Sequence, residues 1–207
     1  MTELDFKVYG MKLQPGGAQE DANPFELCQD EKIIGVGWEL DNDRSYDSFE
    51  EVYDYHKAVY QDRIEQGKKG TRLNQDGRLT AALRYILDEM EIGDYVWVNE
   101  GNQFALCKVK GDWELTAHLS GEEQETFKKN DIHHYRSVDW INIPYSLVPG
   151  YVRRKFSGRF GTLNELDSGI NEDSKEVIKA LHSQGDLKSD SALDRHQIGD
   201  KIRRADS

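Results

Sequence analysis

The stretch from His133 to Thr162 combines basic and aromatic side chains in a chain that is otherwise acidic. The formal net charge of the chain is -12, but this stretch holds only one acid, Asp139. Its cations are Arg136, Arg153, Arg154, Lys155 and Arg159, and its aromatic rings are Tyr135, Trp140, Tyr145, Tyr151, Phe156 and Phe160. Because an acidic surface repels polyanions, a nucleic acid would have to dock here. Arginines beside aromatic rings are also common packing residues, and both interpretations stay open.

Side chains that could support catalysis or bind a metal lack the spacing that either role needs. His118, His133 and His134 are possible metal ligands, but adjacent residues on a strand point to opposite faces of the sheet. The sequence contains neither a phosphate-loop motif nor a nucleophile elbow. We therefore expect no metal, no cofactor and no catalytic residue, so that the protein is not an enzyme.

The composition indicates one folded domain with an appendage. Of the 207 residues, 37% are hydrophobic and 32% are charged, which is enough apolar material for a core. Neither a membrane-spanning apolar run nor a signal sequence is present, so we expect a cytoplasmic protein with no membrane partner. Cys28 and Cys107 are too few for a disulfide framework and are predicted to be buried. The acidic run at 39–54 predicts a solvated loop and helical turn, or a surface that mimics DNA.

Hydrophobic periodicity predicts an α+β fold in which two helices follow a first strand and precede a mainly antiparallel sheet. The expected strands are 33–38, 95–99, 104–109, 113–119 and 134–143, and the expected helices are 49–66 and 79–90. Short strands separated by glycine turns tend to close into a small barrel or half-barrel. A short helix near Val177 and a polar tail are expected to follow.

The ordered series GVGW, two helices, EIGDYVWV, FALCKVKGDWE, HHYRSVDW and FSGRFGTLNEL resembles the EVE/YTH branch of the PUA-like superfamily. It is most similar to the domains fused to McrB-like and Mrr-like restriction proteins. The resemblance covers about 33–166. It implies three segments: an N-terminal extension with a possible edge strand (1–30), a PUA-like domain (31–167), and a C-terminal helix with a polar tail (168–207). It also implies a curved barrel whose aromatic pocket accepts a flipped or unpaired base, often a methylated one.

Carried over to this chain, the resemblance suggests residues for a base pocket and for phosphate contacts. Trp38 matches the tryptophan that ends the family's first signature strand, and Trp140 matches the one in its later strand. The base-pocket candidates are Trp38, Trp97, Asn99, Trp113 and Trp140. The phosphate-contact candidates are Arg136, Arg153, Arg154, Lys155 and Arg159. Trp38 is equally compatible with the core, Trp140 shares a face with Val138 as a core residue would, and Asn99 precedes a turn.

The resemblance implies a nucleic-acid-binding reader of a modified base, with DNA favoured over RNA, in restriction, defence or regulation. An effector protein would bind through the C-terminal tail. Two alternatives remain open. One is an acidic interaction protein, an inhibitor or adaptor, that uses the same fold without nucleic acid. The other is an RNA-binding domain.

Overall fold

Six strands form one curled, mixed sheet with the curvature of a half-barrel. The computed structural model describes residues 6–13, 18–41, 46–67, 73, 79–158, 160–166 and 174–181. The strands are β1 (Val8–Lys12), β2 (Ile33–Val36), β3 (Tyr95–Glu100), β4 (Gln103–Leu115), β5 (His134–Asn142) and β6 (Leu163–Glu165). They lie in the order β2-β5-β4-β3-β1-β6. The β1–β3 pair is parallel and every other pair is antiparallel.

Helices cover both faces of this sheet. They are α1 (Pro24–Glu31), α2 (Phe49–Glu65), α3 (Ala81–Arg84), α4 (Gly121–Lys129), α5 (Gly150–Ser157) and α6 (174–181). A π-helical turn, Tyr85–Glu89, continues directly from α3. None of the described helices is both long enough and apolar enough to cross a bilayer.

Strand alternation divides the core into two parts, one on each face of the sheet. On β3, Val96 and Val98 belong to the first part, whereas Tyr95 and Trp97 belong to the second. The first face carries buried residues of α1, α2, α3 and the π-turn. The second face is covered by α5 and α6. We refer to these as the first and second faces of the sheet.

The predicted α+β class with a curled half-barrel sheet is confirmed. The expected strand at 33–38 ends at Val36, and the helix expected at 49–66 is α2. The helix expected at 79–90 begins at Ala81 and becomes the π-turn. The short C-terminal helix is α6, and the polar tail that was expected after it lies outside the described residues.

The prediction of two strands at 104–109 and 113–119 is wrong, because a single strand, β4, runs from Gln103 to Leu115, and a 3-10 turn, Thr116–His118, follows it. The pairing of β4 with β5 shifts between Val109 and Trp113, where residues 110–112 lie opposite Ser137. A lysine-glycine-aspartate sequence is typical of a turn, but here it forms a β-bulge, which bends a strand without ending its pairing. This bend contributes to the curl of the sheet.

The prediction that the N-terminal extension supplies an edge strand is also wrong. β1 lies inside the sheet, between β3 and β6. Four of its five residues are buried, because helices cover both of its faces. A strand buried on both faces lacks the polar-apolar alternation of an edge strand, and parallel pairing places no hairpin turn beside it. The boundary at residue 30 therefore cuts through the folded unit.

Candidate functional site

Trp38 lies where the chain leaves β2, in a backbone conformation that large side chains rarely adopt. Its φ is 72°, and its side chain is half-buried against the first face of the sheet. The left-handed region costs roughly 1–2 kcal/mol for a residue with a Cβ atom. Such strain is maintained only where surrounding contacts enforce it, and it concentrates at functional sites.

The two glycines before Trp38 allow close approach by other parts of this chain. A Cβ on Gly35 would lie 2.5 Å from Cγ2 of Ile132, and one on Gly37 would lie 2.7 Å from Oδ2 of Asp131. Asp131 itself has a φ of 53°. Two left-handed residues other than glycine therefore meet at this point, with the carboxylate of one against the backbone that precedes the other.

Two buried histidines lie under the carbonyl group of Trp38. Nε2 of His134 is 3.2 Å from the Trp38 oxygen and 3.3 Å from Nε2 of His56, and both imidazoles are 0% exposed. A carbonyl oxygen only accepts, so the bond to Trp38 requires the proton on Nε2 of His134. In that tautomer Nε2 of His56 is the second acceptor of the same proton.

Further rings extend this contact into a cluster. Tyr46 and Tyr55 lie 5.6 Å apart between ring centroids, Tyr55 and His56 5.8 Å, and His56 and His134 5.2 Å. We define the aromatic cluster as Trp38, Tyr46, Tyr55, His56 and His134. Trp38 and Tyr55 are half-buried and are the members of the cluster whose rings can reach a planar ligand, whereas Tyr46, His56 and His134 are buried.

The residues of α2 in this cluster were missed by the sequence reasoning. Tyr55 and His56 follow Val52 on a helix whose apolar spacing is visible in the sequence, but that spacing does not say which strand the helix packs on. For His134 the sequence suggests only a metal ligand. Within the described part of the chain, no three His, Cys, Asp or Glu side chains are grouped as metal ligands would be.

Two of the predicted base-pocket residues belong to the framework of the fold. Trp97 is 0% exposed on the second face, where its Nε1 donates to Oγ of Ser174 at 2.8 Å. Asn99 is buried, and its Nδ2 donates to the carbonyl oxygens of Gly101 and Gln103 at 3.0 and 3.1 Å. Trp97 thus anchors α6 and Asn99 closes the β3–β4 hairpin, which corrects the expectation that they line a pocket.

Trp113 and Trp140 are half-buried against the same core as Trp38. The ring of Trp140 packs edge-on against Phe25 of α1, with centroids 5.3 Å apart, and its Nε1 donates to Oδ1 of Asn142 at 2.8 Å. Val138 contributes to the same core, as their shared strand face predicts. Trp140 therefore packs on α1, whereas Tyr55 and His56 of the aromatic cluster belong to α2.

Arg136 is an interior residue, which corrects its assignment as a phosphate contact. It is 3% exposed, and its Nε donates to the Ile86 oxygen at 2.6 Å and a terminal nitrogen to the Gly111 oxygen at 3.3 Å. Burial lowers the pKa of its guanidinium group, and Asp112 and Asp94 oppose that effect. Its donors satisfy backbone carbonyls, so they do not face solvent.

The other described basic candidates form a surface on α5. Arg154 and Lys155 are exposed, and Arg153 is half-buried. The guanidinium carbon of Arg154 lies 4.2 Å from the ring centroid of Tyr151, and that of Arg153 lies 5.2 Å from the ring centroid of Tyr145. We call these five residues the α5 surface. Arg159, the remaining candidate, lies outside the described residues.

The sheet separates the α5 surface from the aromatic cluster. Val152 and Phe156 attach α5 to the second face, whereas Trp38, His56 and His134 belong to elements on the first face. The basic and aromatic residues of 133–162, which the sequence suggested as one docking segment, are therefore distributed over the interior and both faces.

Comparison with known proteins assigns a family to this fold. No curated protein and no solved structure matches the chain. Residues 11–166, more than half of the 207, match the family model described as Domain of unknown function (DUF8426). That range spans the sheet from within β1 to the end of β6 and includes both the aromatic cluster and the α5 surface. The chain is therefore a member of the DUF8426 family.

Proposed function

We propose that the protein is a nucleic-acid-binding module that holds an unpaired base, with preference for a methylated one, in the aromatic cluster. The observation that carries this proposal is the strained, half-buried Trp38 at the exit of β2. A base removed from its stack needs a replacement π-face and partners for its polar edge. Trp38 offers the first, and the half-buried Tyr55 of the same cluster carries a hydroxyl group that can serve the second.

The energetics are compatible with such a role. Extruding a base costs a few kcal/mol, and stacking on an aromatic side chain returns about 1–3 kcal/mol per base. Burying a methyl group of the base among apolar side chains adds further binding free energy. The curled half-barrel with helices on both faces is compatible with the finer assignment to the PUA-like superfamily, which we propose together with this function. DNA is the favoured polymer, and an effector would be a separate protein.

A rival function rests on the charge beside Trp38. Glu39 and Asp41 lie within three residues after it, and Glu50 and Glu51 occupy the first turn of α2. These carboxylates repel phosphates, so the same face would suit a basic protein partner. In this alternative the domain is an acidic inhibitor or adaptor.

Fluorescence anisotropy with labelled oligonucleotides separates the two functions. The probes are single- and double-stranded and carry 6-methyladenine, 5-methylcytosine or no modification. Wild type is compared with Trp38→Ala and with Trp140→Ala, which removes another half-buried tryptophan from the same core. We expect wild type to bind one methylated probe more tightly than the others. Trp38→Ala should weaken the binding of that probe about 5- to 150-fold, and Trp140→Ala should leave its affinity unchanged.

Two results would contradict the reader function. One is the absence of binding to every probe at low and moderate salt, which would favour the acidic interaction protein. The other is an equal loss in both tryptophan variants, which would mean that stability, and not contact with the base, was measured. Circular dichroism of both variants provides the folding control.

A further inference from the structure

We propose that the α5 surface is a second nucleic-acid contact, which binds the phosphate backbone of a single strand while Tyr151 stacks on one of its bases. The proposal shares with the proposed function the assumption that nucleic acid is the ligand. It does not depend on Trp38, because the sheet lies between the two surfaces.

The charge around α5 differs sharply from that of the rest of the chain. From residue 140 to residue 164 the sequence contains four cations and no acid. With 39 acids in 207 residues, a stretch of that length would hold about five. Because a strongly acidic protein repels polyanions at long range, a contact with phosphate requires a local region of this kind.

Helical geometry places the useful side chains together. Residues three and four apart lie on the same side of a helix, so Tyr151, Arg154 and Lys155 share one face. All three are exposed, whereas Val152 and Phe156 on the opposite side are buried in the second core. The helix is thus held by its apolar side and presents its basic side to solvent.

The tyrosines favour a nucleic acid over other anionic partners. Tyr145 and Tyr151 are 49% and 58% exposed, whereas large aromatic side chains are more often buried in a folded protein. An arginine lies over each ring and is held there, so less side-chain freedom is lost when a phosphate binds. Cations interleaved with aromatic rings are the pattern by which proteins bind single strands, whose bases are open to stacking. An acidic peptide or an anionic membrane would use the cations but has no bases to stack on the rings.

The test measures how affinity for an unmodified oligothymidylate depends on salt, by anisotropy between about 50 and 200 mM. Arg154→Gln with Lys155→Gln is compared with Lys57→Gln with Arg63→Gln, which removes two cations from α2 on the other face. Both double variants change the net charge equally, so long-range repulsion is matched. Tyr151→Leu keeps an apolar side chain but removes the ring.

The measured quantity is the slope of the logarithm of the binding constant against the logarithm of the salt concentration. We expect the α5 double variant to reduce the magnitude of this slope by about 1.4, which corresponds to the loss of two phosphate contacts on a single strand. The α2 double variant and Trp38→Ala should keep the slope of wild type. Tyr151→Leu should weaken binding about 5-fold or more with an unchanged slope. Thermal unfolding of each variant reports whether it is folded.

Equal slopes for the two double variants would overturn the proposal. So would an α5 effect seen only with phosphatidylserine vesicles or with a polyglutamate peptide, because the surface would then serve a membrane or a protein. A normal α5 effect together with an affinity for every probe that Trp38→Ala leaves unchanged would refute the base-binding function and leave this surface standing.

Discussion

At the scale of single residues, the backbone and the side chain of Trp38 make opposing contributions to stability. Its ring packs on the core, but its φ of 72° is unfavourable for any residue with a Cβ atom. Trp38→Ala and Trp38→Gly both remove the ring, and only the glycine variant removes the strain. At ordinary positions glycine is the less stable of the two by roughly 0.5–1 kcal/mol. Here we expect Trp38→Gly to be the more stable variant by about 1 kcal/mol in urea denaturation.

The reverse order, with Trp38→Ala more stable, would show that this backbone relaxes without cost. Lys12 in β1 provides the control position, because it lies in regular strand and the usual preference for alanine should hold there.

Asn99 shows how far the chemistry of single residues can be predicted from the sequence. An asparagine just before a glycine turn is typical of a residue that stabilises the turn, and the Asn99 side chain does donate to carbonyl oxygens of that turn. Arg136 lies in a basic, aromatic stretch and gave no sign of burial. Burial depends on which carbonyl groups the folded chain brings near it, and those belong to the π-turn and to the β4 bulge, 50 and 25 residues away.

At the scale of elements, Arg136 connects three of them. It lies on β5 and donates to the π-turn through the Ile86 oxygen and to the β4 bulge through the Gly111 oxygen. Arg136→Met keeps most of the side-chain volume but leaves both carbonyls without these donors. Because a hydrogen bond from a charged group contributes about 1.5–3 kcal/mol, we expect a loss of about 3 kcal/mol in the free energy of unfolding by urea.

Lys110→Met is the matched control for Arg136. Lys110 lies in the same bulge, but its pair with Asp139 at 3.2 Å is on the surface. Exposed pairs contribute at most about 1 kcal/mol, so this variant should lose little stability. Similar losses in both variants would mean that Arg136 does not hold the elements together.

At the scale of the whole molecule, many ionisable groups that are neutral at pH 7 lie in the two cores. Burial raises the pKa of Cys28 to about 12, and burial together with Asp139 raises that of Tyr95 to about 12. The pKa values of Tyr9, Tyr135 and Cys107 are raised as well, chiefly by burial. In the unfolded chain thiols and phenols ionise near their ordinary values of 9.0 and 10.0.

The raised pKa values predict how stability depends on pH. The native state keeps these protons longer than the unfolded state, so their contribution is complete below pH 9 and is lost as the pH rises further. Urea denaturation at increasing pH should show the unfolding free energy falling above pH 9. Cys28→Val, which keeps the core apolar, should reduce that fall, and an unchanged free energy up to about pH 10.5 would contradict the prediction.

The sequence alone determined the α+β class, the helices α2 and α3 of the first face and the basic character of the segment that contains α5. These follow from local periodicity and composition, which do not depend on distant contacts. The polar-apolar spacing of α2 and the apolar runs of β2 and β3 are local signals of this kind. The left-handed φ of Trp38 is not, because it arises where the chain passes the Asp131 carboxylate, 93 residues further on.

Only the tertiary structure decided which of the candidate side chains can meet a ligand. It placed β1 inside the sheet, Trp97 and Arg136 in the interior, and Trp38 and α5 on opposite faces. The physical reason is that the face of a residue is fixed by the register of its strand, and register depends on partners far away in the sequence. A one-residue change in register would exchange the buried and exposed sets, and local sequence does not specify that choice.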